Sequence, residues 1–329
     1  MKLPLSVAVW NYDRTQALLD GRVTIEGCDA NLFSLPVEET FFRALRSAEF
    51  DVAELSMSSY TLLRSRGQSP YIAIPVFLSR SFRHSAIYVR ADSGIEKPQD
   101  LIGKVVGLPE YQLTAPVWVR GMLEDEYGVK PSDVTWRTGG VEQPGRHEKV
   151  PLKVGGGVEI QPIPVEETLN DWLLQGKIDA LVAPRAPSSY TGQNGAVRRL
   201  FSDFRSVEKA YFQKTGVFPI MHVVGIRKEL AEANSWLPAS VLKAFVQAKD
   251  IAVREFAEVA ALKLTLPWIA AEYEETVALM GDDFWSYGVD GNEKTLETFL
   301  RYHRDQGLSD GSVTLQNMFA PSATEQFKI

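Results

Sequence analysis

Short apolar, β-rich runs that alternate with helical stretches predict an α/β fold of two lobes. Three observations carry that expectation. The alternation runs through most of the 329 residues. Residues 95–215 form a self-contained β/α block. An apolar strand, GVFPIMHVVGIR, then returns and reads as a partner of the earlier strands. The expected organisation is a discontinuous first lobe, 1–92 with 218–329, and a second lobe, 93–217, inserted into it. The chain would cross twice, near YVRAD and near GVFPI, with a hinge there and a ligand cleft beside it. Open α/β sheets bind ligands beyond the carboxyl ends of their strands.

Each element has a local reason. LSVAVW (5–10) is a core strand, and RTQALLDG is a short helix stopped by Gly21. VTIEGCDANLFSL (23–35) reads as a strand and its turn. VEETFFRALRSAEF (37–50) spaces Phe41, Phe42 and Leu45 helically. DVAELS (51–56) is a strand followed by the helical SSYTLLRSRG. YIAIPVFL (71–78) and HSAIYVR (84–90) are strands, and KVVGLP is a buried one. YQLTAPVWVRGMLEDEYG is a helix whose first turn tolerates Pro116, because the missing N–H would be unpaired there. Residues 138–157, rich in glycine and charge, are expected to be a surface excursion. VEIQPIP is a strand, VEETLNDWLLQGK an amphipathic helix, and IDALVAP (178–184) a strand. Long helices are expected near 236–261, 266–280 and 292–307, with an irregular tail from 308.

Composition narrows the function classes. A hydrophobic content of 45% with 23% charged residues describes a globular chain with a real core. A formal net charge of −7 argues against broad nucleic-acid or anionic-membrane binding. The one cysteine, Cys28, allows neither an intramolecular disulfide nor a cysteine metal site. LPLSVAVW lacks the apolar core and cleavage site of a signal peptide, so a cytoplasmic protein is expected. No run approaches the length of a membrane span.

The motifs SGIEKPQDLIGKVVGLPEYQLTAPVWVRG and QGKIDALVAP resemble the inserted lobe of the type II periplasmic-binding-protein fold. YDRTQALLDGRVTIEGCD, EFDVAELSMSSY, IPVFLSRSFRHSAIYVR, PEYQLTAPVWVRG and FWSYGVDGNEKTLETFLRYHRDQGL together resemble the 4,5-dihydroxyphthalate decarboxylase family, over residues 5 to 310. The resemblance implies a carboxy-lyase of phthalate degradation. It would decarboxylate 4,5-dihydroxyphthalate to protocatechuate and CO2 without oxidation, by protonating the ring carbon para to a phenol. That chemistry needs a cationic clamp for a dianion, a general acid, and donors or a base at the phenols.

The candidates follow from position. Arg14 ends the first strand section at a helix start, where guanidinium suits a carboxylate; a pairing with Asp13 or Asp20 is the competing reading. Ser56 ends DVAELS and Ser58, Ser59 and Tyr60 come after it, as an oxyanion site or as a plain helix cap. Arg80, Arg83 and His84 end the IPVFL section and start HSAIYVR, with Arg80 expected to face inward rather than Arg83. His84 and His222 are the candidate acids, because histidine titrates near neutrality. The two strands that carry them, HSAIYVR and MHVVGIR, are expected to be sheet neighbours. Tyr111, Gln112 and Thr114 open the helix after KVVGLP, where backbone N–H groups suit a carboxylate. Glu110 is an acid candidate only if buried, Trp118 reads as core, and Arg120 sits beyond it. Arg185 is a second carboxylate clamp, and Glu167 holds a phenol or caps its helix. His147 and His303 are expected to be exposed. No cofactor is required; a divalent ion on His84, His222 and a carboxylate is an open alternative.

Two other function classes share these residues. One is a non-catalytic binding protein for a small anion. The other is a different cytoplasmic enzyme on this fold, of the chorismate-dehydratase type; a thiamin-pyrimidine synthase would need a cysteine-rich motif. The expected partner is a small aromatic dicarboxylate, with no nucleic acid and no membrane. The late helices offer a surface for a homo-oligomer.

Overall fold

The computed structural model describes residues 2–148, 150–152 and 154–324. Lys149 and Lys153 of the glycine-rich excursion, and the last five residues of the tail, lie outside the described residues. The strands are β1 (Leu3–Val9), β2 (Cys28–Ser34), β3 (Val52–Ser56), β4 (Tyr71–Arg80), β5 (Ile87–Arg90), β6 (Val105–Leu108), β7 (Thr135–Thr138), β8 (Glu159–Pro162), β9 (Ala180–Val182), β10 (Val197–Arg199) and β11 (Ile220–Arg227). The helices are α1 (Asp13–Leu19), α2 (Val37–Ser47), α3 (Met57–Ser65), α4 (Thr114–Tyr127), α5 (Leu169–Leu174) and α6 (Phe204–Thr215). They continue with α7 (Lys228–Ala233), α8 (Leu237–Phe256), α9 (Ile269–Met280), α10 (Glu293–Asp305) and α11 (Leu315–Met318).

One compact unit comprises Met1–Arg80, Ile220–Leu296 and Val313–Ile329. Its five-stranded sheet runs β2-β1-β3-β11-β4. β1 is parallel to β2 and β3, and β11 is antiparallel to β3 and β4. The carboxyl ends of β1, β3 and β4 and the amino end of β11 therefore share one sheet edge. Strands in the middle of such a sheet are covered on both faces, which is why LSVAV and VAELS lack clean alternation. Leu5, Val7, Val9, Val52, Ile74, Val76, Leu78, Val224 and Ile226 form one core with Leu18 of α1 and Leu237, Val241 and Phe245 of α8. Each large side chain so buried contributes about 1.5–3 kcal/mol.

β4 breaks its pairing with β11. His222 faces Ser79, whereas Val224 faces Ile74, so register shifts lie on both sides of His222. Pro75 sits in the extra length of β4; it has no N–H for a ladder, and proline in a sheet marks an edge or a bulge. The displaced carbonyls find other donors. Pro75 O accepts Gly288 N at 2.8 Å. Phe77 O accepts Trp285 Nε1 at 2.9 Å, and Leu78 O accepts Arg14 Nε at 2.6 Å.

The other unit comprises Ser81–Pro219 and Glu297–Ser312. Its six-stranded sheet runs β10-β5-β9-β6-β7-β8. Leu169 and Leu173 of α5 pack there with Ile178, Leu181 and Val197. Gly121, mid-way along α4, lets Tyr302 approach; a Cβ at that glycine would stand 2.2 Å from the Tyr302 ring.

Several expectations need correction. HSAIYVR does not neighbour MHVVGIR: β5 pairs with β9 and β10, and β11 with β3 and β4. Residues 84–86 are a 3₁₀ turn, not strand. YVRAD, near which a crossing was expected, shares residues 88–90 with β5 of the second sheet, and the compact unit that holds β5 begins at Ser81. β7, β10 and α6 were not anticipated. His303 is fully buried rather than exposed, with its ring 5.6 Å from Phe299. The helix expected to run to 261 ends at Phe256.

Candidate active site

The edge where β1, β3, β4 and β11 meet holds a linked polar cluster. After β1 the chain turns through Trp10, Asn11 and Tyr12. Thr15 pins this turn: its hydroxyl donates to Trp10 O at 2.8 Å and accepts Tyr12 N at 2.9 Å. The turn delivers Tyr12 and Trp10 to Glu54 on β3. Glu54 is fully buried and accepts Tyr12 Oη at 2.7 Å and Trp10 N at 3.1 Å. Its Oε1 also lies 2.7 Å from Nδ1 of His222. Phe41 of α2 meets the His222 ring edge-on at 4.8 Å and fixes its plane. His222 keeps 18% of its side-chain surface, whereas Glu54 keeps none. Burial and the adjacent carboxylate push the Tyr12 phenol far above its ordinary value, so it stays protonated as a donor to Glu54.

Arg14 extends the cluster. Its guanidinium lies 4.0 Å from the Tyr12 ring centroid and 4.3 Å from that of Trp285. Nη1 donates to Asp13 at 2.8 Å, while Nε and Nη2 grip the displaced carbonyl of Leu78. The pairing with Asp13 is therefore real, and Asp20 is taken by Arg22. Two aromatic rings and a backbone carbonyl hold the cation in place with 13% of its side chain exposed. Arg80 faces inward, where it braces the fold by donating to Ser286 O at 2.8 Å and to Asn292 Oδ1. Burial lowers its guanidinium to about 10. Ser56 is the N-cap of α3 and faces His222 in the β3–β11 register, and Ser58 is fully buried behind it.

The second unit holds the remaining candidates. His84 is 1% exposed, and neither ring nitrogen has a hydrogen-bond partner among the described residues. Phe201 and Tyr211 meet it edge-on at 5.3 and 5.2 Å. Glu208 Oε1 is 3.9 Å from Nδ1. Burial pushes the imidazole down to about 4. About one molecule in a thousand would carry the proton at pH 7, so this histidine is a poor acid. Burial also raises Glu208 to about 7.

Glu110, Gln112 and Thr114 are buried, as is Tyr111, and Arg120 is 1% exposed beneath them. Glu110 is buried as its acid role required, but Arg146 pairs with it at 2.7 Å. Trp118 is core, packed on Phe299 and Tyr302. Glu167 is spent locally on Trp172 Nε1 and on Lys177 Nζ at 2.8 Å, and the Lys177 bond holds its carboxyl below the ordinary range. Arg185 follows β9 and is exposed. His147 is exposed as expected.

Glu54 and Tyr12 were missed by sequence reasoning. The available signal was a carboxylate inside the otherwise apolar VAELS run, since a buried acid needs partners. Among the described residues no group of three or more His, Cys, Asp or Glu side chains could hold a metal. No helix of the described residues is long and apolar enough to cross a membrane.

Comparison with known proteins agrees with this architecture. Residues 14–158 match the family of phosphonate ABC transporter periplasmic substrate-binding proteins. A structure from Archaeoglobus fulgidus superposes with a TM-score of 0.53 at 14% identity, covering 93% of this chain and 98% of that one. The periplasmic aliphatic sulphonate binding protein SsuA of Escherichia coli gives 0.51 at 15% identity, covering 97% and 92%. These likenesses show the fold, which is periplasmic-binding-protein-like. Sequence relatives go further. The 4,5-dihydroxyphthalate decarboxylase of Comamonas testosteroni is 47% identical over 328 residues, 100% of this chain and 99% of that protein. The 4,5-dihydroxyphthalate decarboxylase of Pseudomonas putida is 52% identical over 202 residues, 61% of this chain and 78% of that protein. This chain belongs to the 4,5-dihydroxyphthalate decarboxylase family.

Proposed function

We propose that this protein is a carboxy-lyase that converts 4,5-dihydroxyphthalate to protocatechuate and CO2, with His222 as the general acid. The observation that carries the assignment of the acid is the 2.7 Å contact between His222 Nδ1 and the fully buried Glu54. A buried carboxylate on one ring nitrogen fixes the tautomer and stabilises positive charge on the ring, leaving Nε2 to face the substrate.

The chemistry balances with these groups. Each carboxylate-bearing carbon lies para to one hydroxyl, whose electrons make that carbon basic. His222 Nε2 gives its proton to the carbon. The C–CO2 bond then breaks, its electron pair restores the aromatic ring, and CO2 leaves. Solvent returns the proton to the imidazole. Arg14, held by Tyr12, Trp285 and Leu78 O, is the carboxylate clamp on the same edge. Ser56, opposite His222, supports the ring's surroundings as the α3 cap. His84, buried and uncharged near pH 7, is left out of the chemistry, and Arg80 acts as a brace.

Two further parts belong to this proposal. The reaction takes place in the cytoplasm, which cell fractionation tests. The chain self-associates: Val259, Leu262, Leu264, Leu266 and Trp268 are exposed within one short stretch, more than isolated apolar residues on a monomer need. Sedimentation at assay concentration tests that part.

The test of function is incubation of the purified protein with 4,5-dihydroxyphthalate, following CO2 and protocatechuate by mass spectrometry, with and without added divalent ions. Turnover supports the proposal. A compound bound but unchanged under both conditions would favour the binding-protein reading instead.

A further inference from the structure

The glycine-rich excursion carries two charged side chains that turn inward onto the corner between β6 and α4. Arg146 Nε and Nη2 lie 2.9 and 2.7 Å from Glu110 Oε1. Two residues on, the Glu148 carboxylate accepts the N–H of Tyr111 and the N–H of Gln112. These amides immediately precede the first turn of α4, where backbone donors and the helix dipole favour an anion. Beneath them lies Arg120, stacked 3.6 Å from the Tyr111 ring centroid and donating to Tyr111 O at 2.7 Å and to Gln306 Oε1 at 2.8 Å.

The seat is filled, but imperfectly. Among the described residues Arg120 Nη1 is buried without a hydrogen-bond partner, and so is Glu148 Oε2. A carboxylate and a guanidinium in one buried corner, each with an unused polar atom, is an uncommon arrangement for groups that only support the fold. A carboxylate of different reach would complete it.

We infer that Glu148 is a tethered stand-in for a ligand carboxylate: it occupies the seat formed by the Tyr111 and Gln112 amides above Arg120, and an aromatic dicarboxylate displaces it on binding. The inference rests on the dicarboxylate reading of the ligand. Displacement frees the Arg146 segment as well, since Arg146 and Glu148 are two residues apart and both anchor it. Glu148 thereby sets ligand affinity without touching the reacting carbon.

The experiment uses phthalate, which has the two carboxylates but no hydroxyls and does not turn over. Its Kd is measured by calorimetry on the wild type, Glu148→Gln and Glu148→Ala, with catechol as the control that lacks carboxylates. The expected result is phthalate binding about tenfold tighter in Glu148→Ala, the size of one charge-assisted hydrogen bond no longer in competition, with catechol unchanged. In the wild type, phthalate should speed trypsin cleavage after Arg146. Equal or weaker phthalate binding in both variants overturns the inference, as does absence of phthalate binding to all three proteins. If the variants do not fold, the wild-type digestion decides alone: unchanged or slower cleavage with phthalate refutes displacement. Failure of the decarboxylase reading shows separately, as absence of protocatechuate from 4,5-dihydroxyphthalate.

Discussion

Replacing Glu54 with glutamine isolates the role of the buried carboxylate. Glu54 receives three donors, from His222 Nδ1 and Tyr12 Oη at 2.7 Å each and from Trp10 N at 3.1 Å. The amide of Glu54→Gln keeps the volume but carries no charge and offers one oxygen. Oε1 takes both the His222 and the Tyr12 donors and Oε2 takes Trp10 N, so the glutamine oxygen keeps the first two only by turning its NH2 onto the Trp10 N–H. In that orientation the His222 tautomer is kept, but in either orientation the neighbouring negative charge that favours the cationic acid is gone. A hydrogen bond to a charged group is worth about 1.5–3 kcal/mol. Lost from the transition state, that is about 10- to 150-fold in kcat. The same exchange leaves a buried donor unmatched and costs about 1–3 kcal/mol of stability, so thermal unfolding must confirm a folded variant at assay temperature. Initial rates of protocatechuate release give kcat and KM separately. In Glu54→Gln, kcat should fall at least tenfold with KM within about threefold, because Glu54 acts through His222 and does not touch substrate. An unchanged kcat in a folded Glu54→Gln protein would refute the dyad, and a loss confined to KM would turn Glu54 into a binding group.

Other expectations concern the clamp and the second histidine. Arg14→Lys keeps a positive charge but cannot both grip Leu78 O with two nitrogens and stack between Tyr12 and Trp285; KM should rise about tenfold or more, and an unchanged KM would remove Arg14 from the clamp. His84→Phe should leave kcat within about twofold, since the ring lies among Phe201 and Tyr211 and makes no hydrogen bond among the described residues; a large loss of kcat would restore His84 as the acid. The same variant has a pH signature. In the wild type the folded-state value of about 4 lies below the unfolded value of 6.5, so the unfolded chain binds the extra proton and His84 removes stability as pH falls through that window. His84→Phe should therefore gain stability relative to the wild type as pH drops from 6.5 to about 4, by about 3 kcal/mol in full, read as a widening difference in Tm. Glu208, raised to about 7, works in the opposite sense: it adds stability as pH falls from 7 towards its ordinary 4.5. Glu208→Gln should make the acid-side loss steeper than in the wild type, and a shallower loss would contradict the assignment.

The elements that local pattern could reveal were legible. LSVAV, VAELS and YIAIPVFL are strands because β-rich apolar runs of that length have few other uses, and the α4 helix follows from its opening proline position and Gly128 stop. What pattern could not reveal was which strands adjoin. HSAIYVR and MHVVGIR look alike in composition, yet they belong to different sheets, because strand order is fixed by contacts far apart in sequence. α6 was readable: Asp203 caps it, Gly216 ends it in the left-handed region, and Phe204, Val207 and Tyr211 recur at helical spacing. Its charged residues obscured that spacing. Among the residues of the polar cluster, Arg14 and His222 were named from type and position alone. Glu54 was not, because its partner His222 is 168 residues away. The polar cluster also depends on the β4 bulge, whose displaced carbonyls at 77 and 78 hold Trp285 and Arg14. Pro75 was the sole local hint of it.

The most direct test of the central claim compares turnover of 4,5-dihydroxyphthalate by the wild type and by His222→Gln in deuterated water. The wild type should release CO2 and protocatechuate carrying one deuterium at the vacated ring carbon, and His222→Gln should bind the substrate but turn it over at least a hundredfold more slowly, the usual span for loss of a general acid being about 10²–10⁴. Undiminished turnover by a folded His222→Gln protein would contradict the claim.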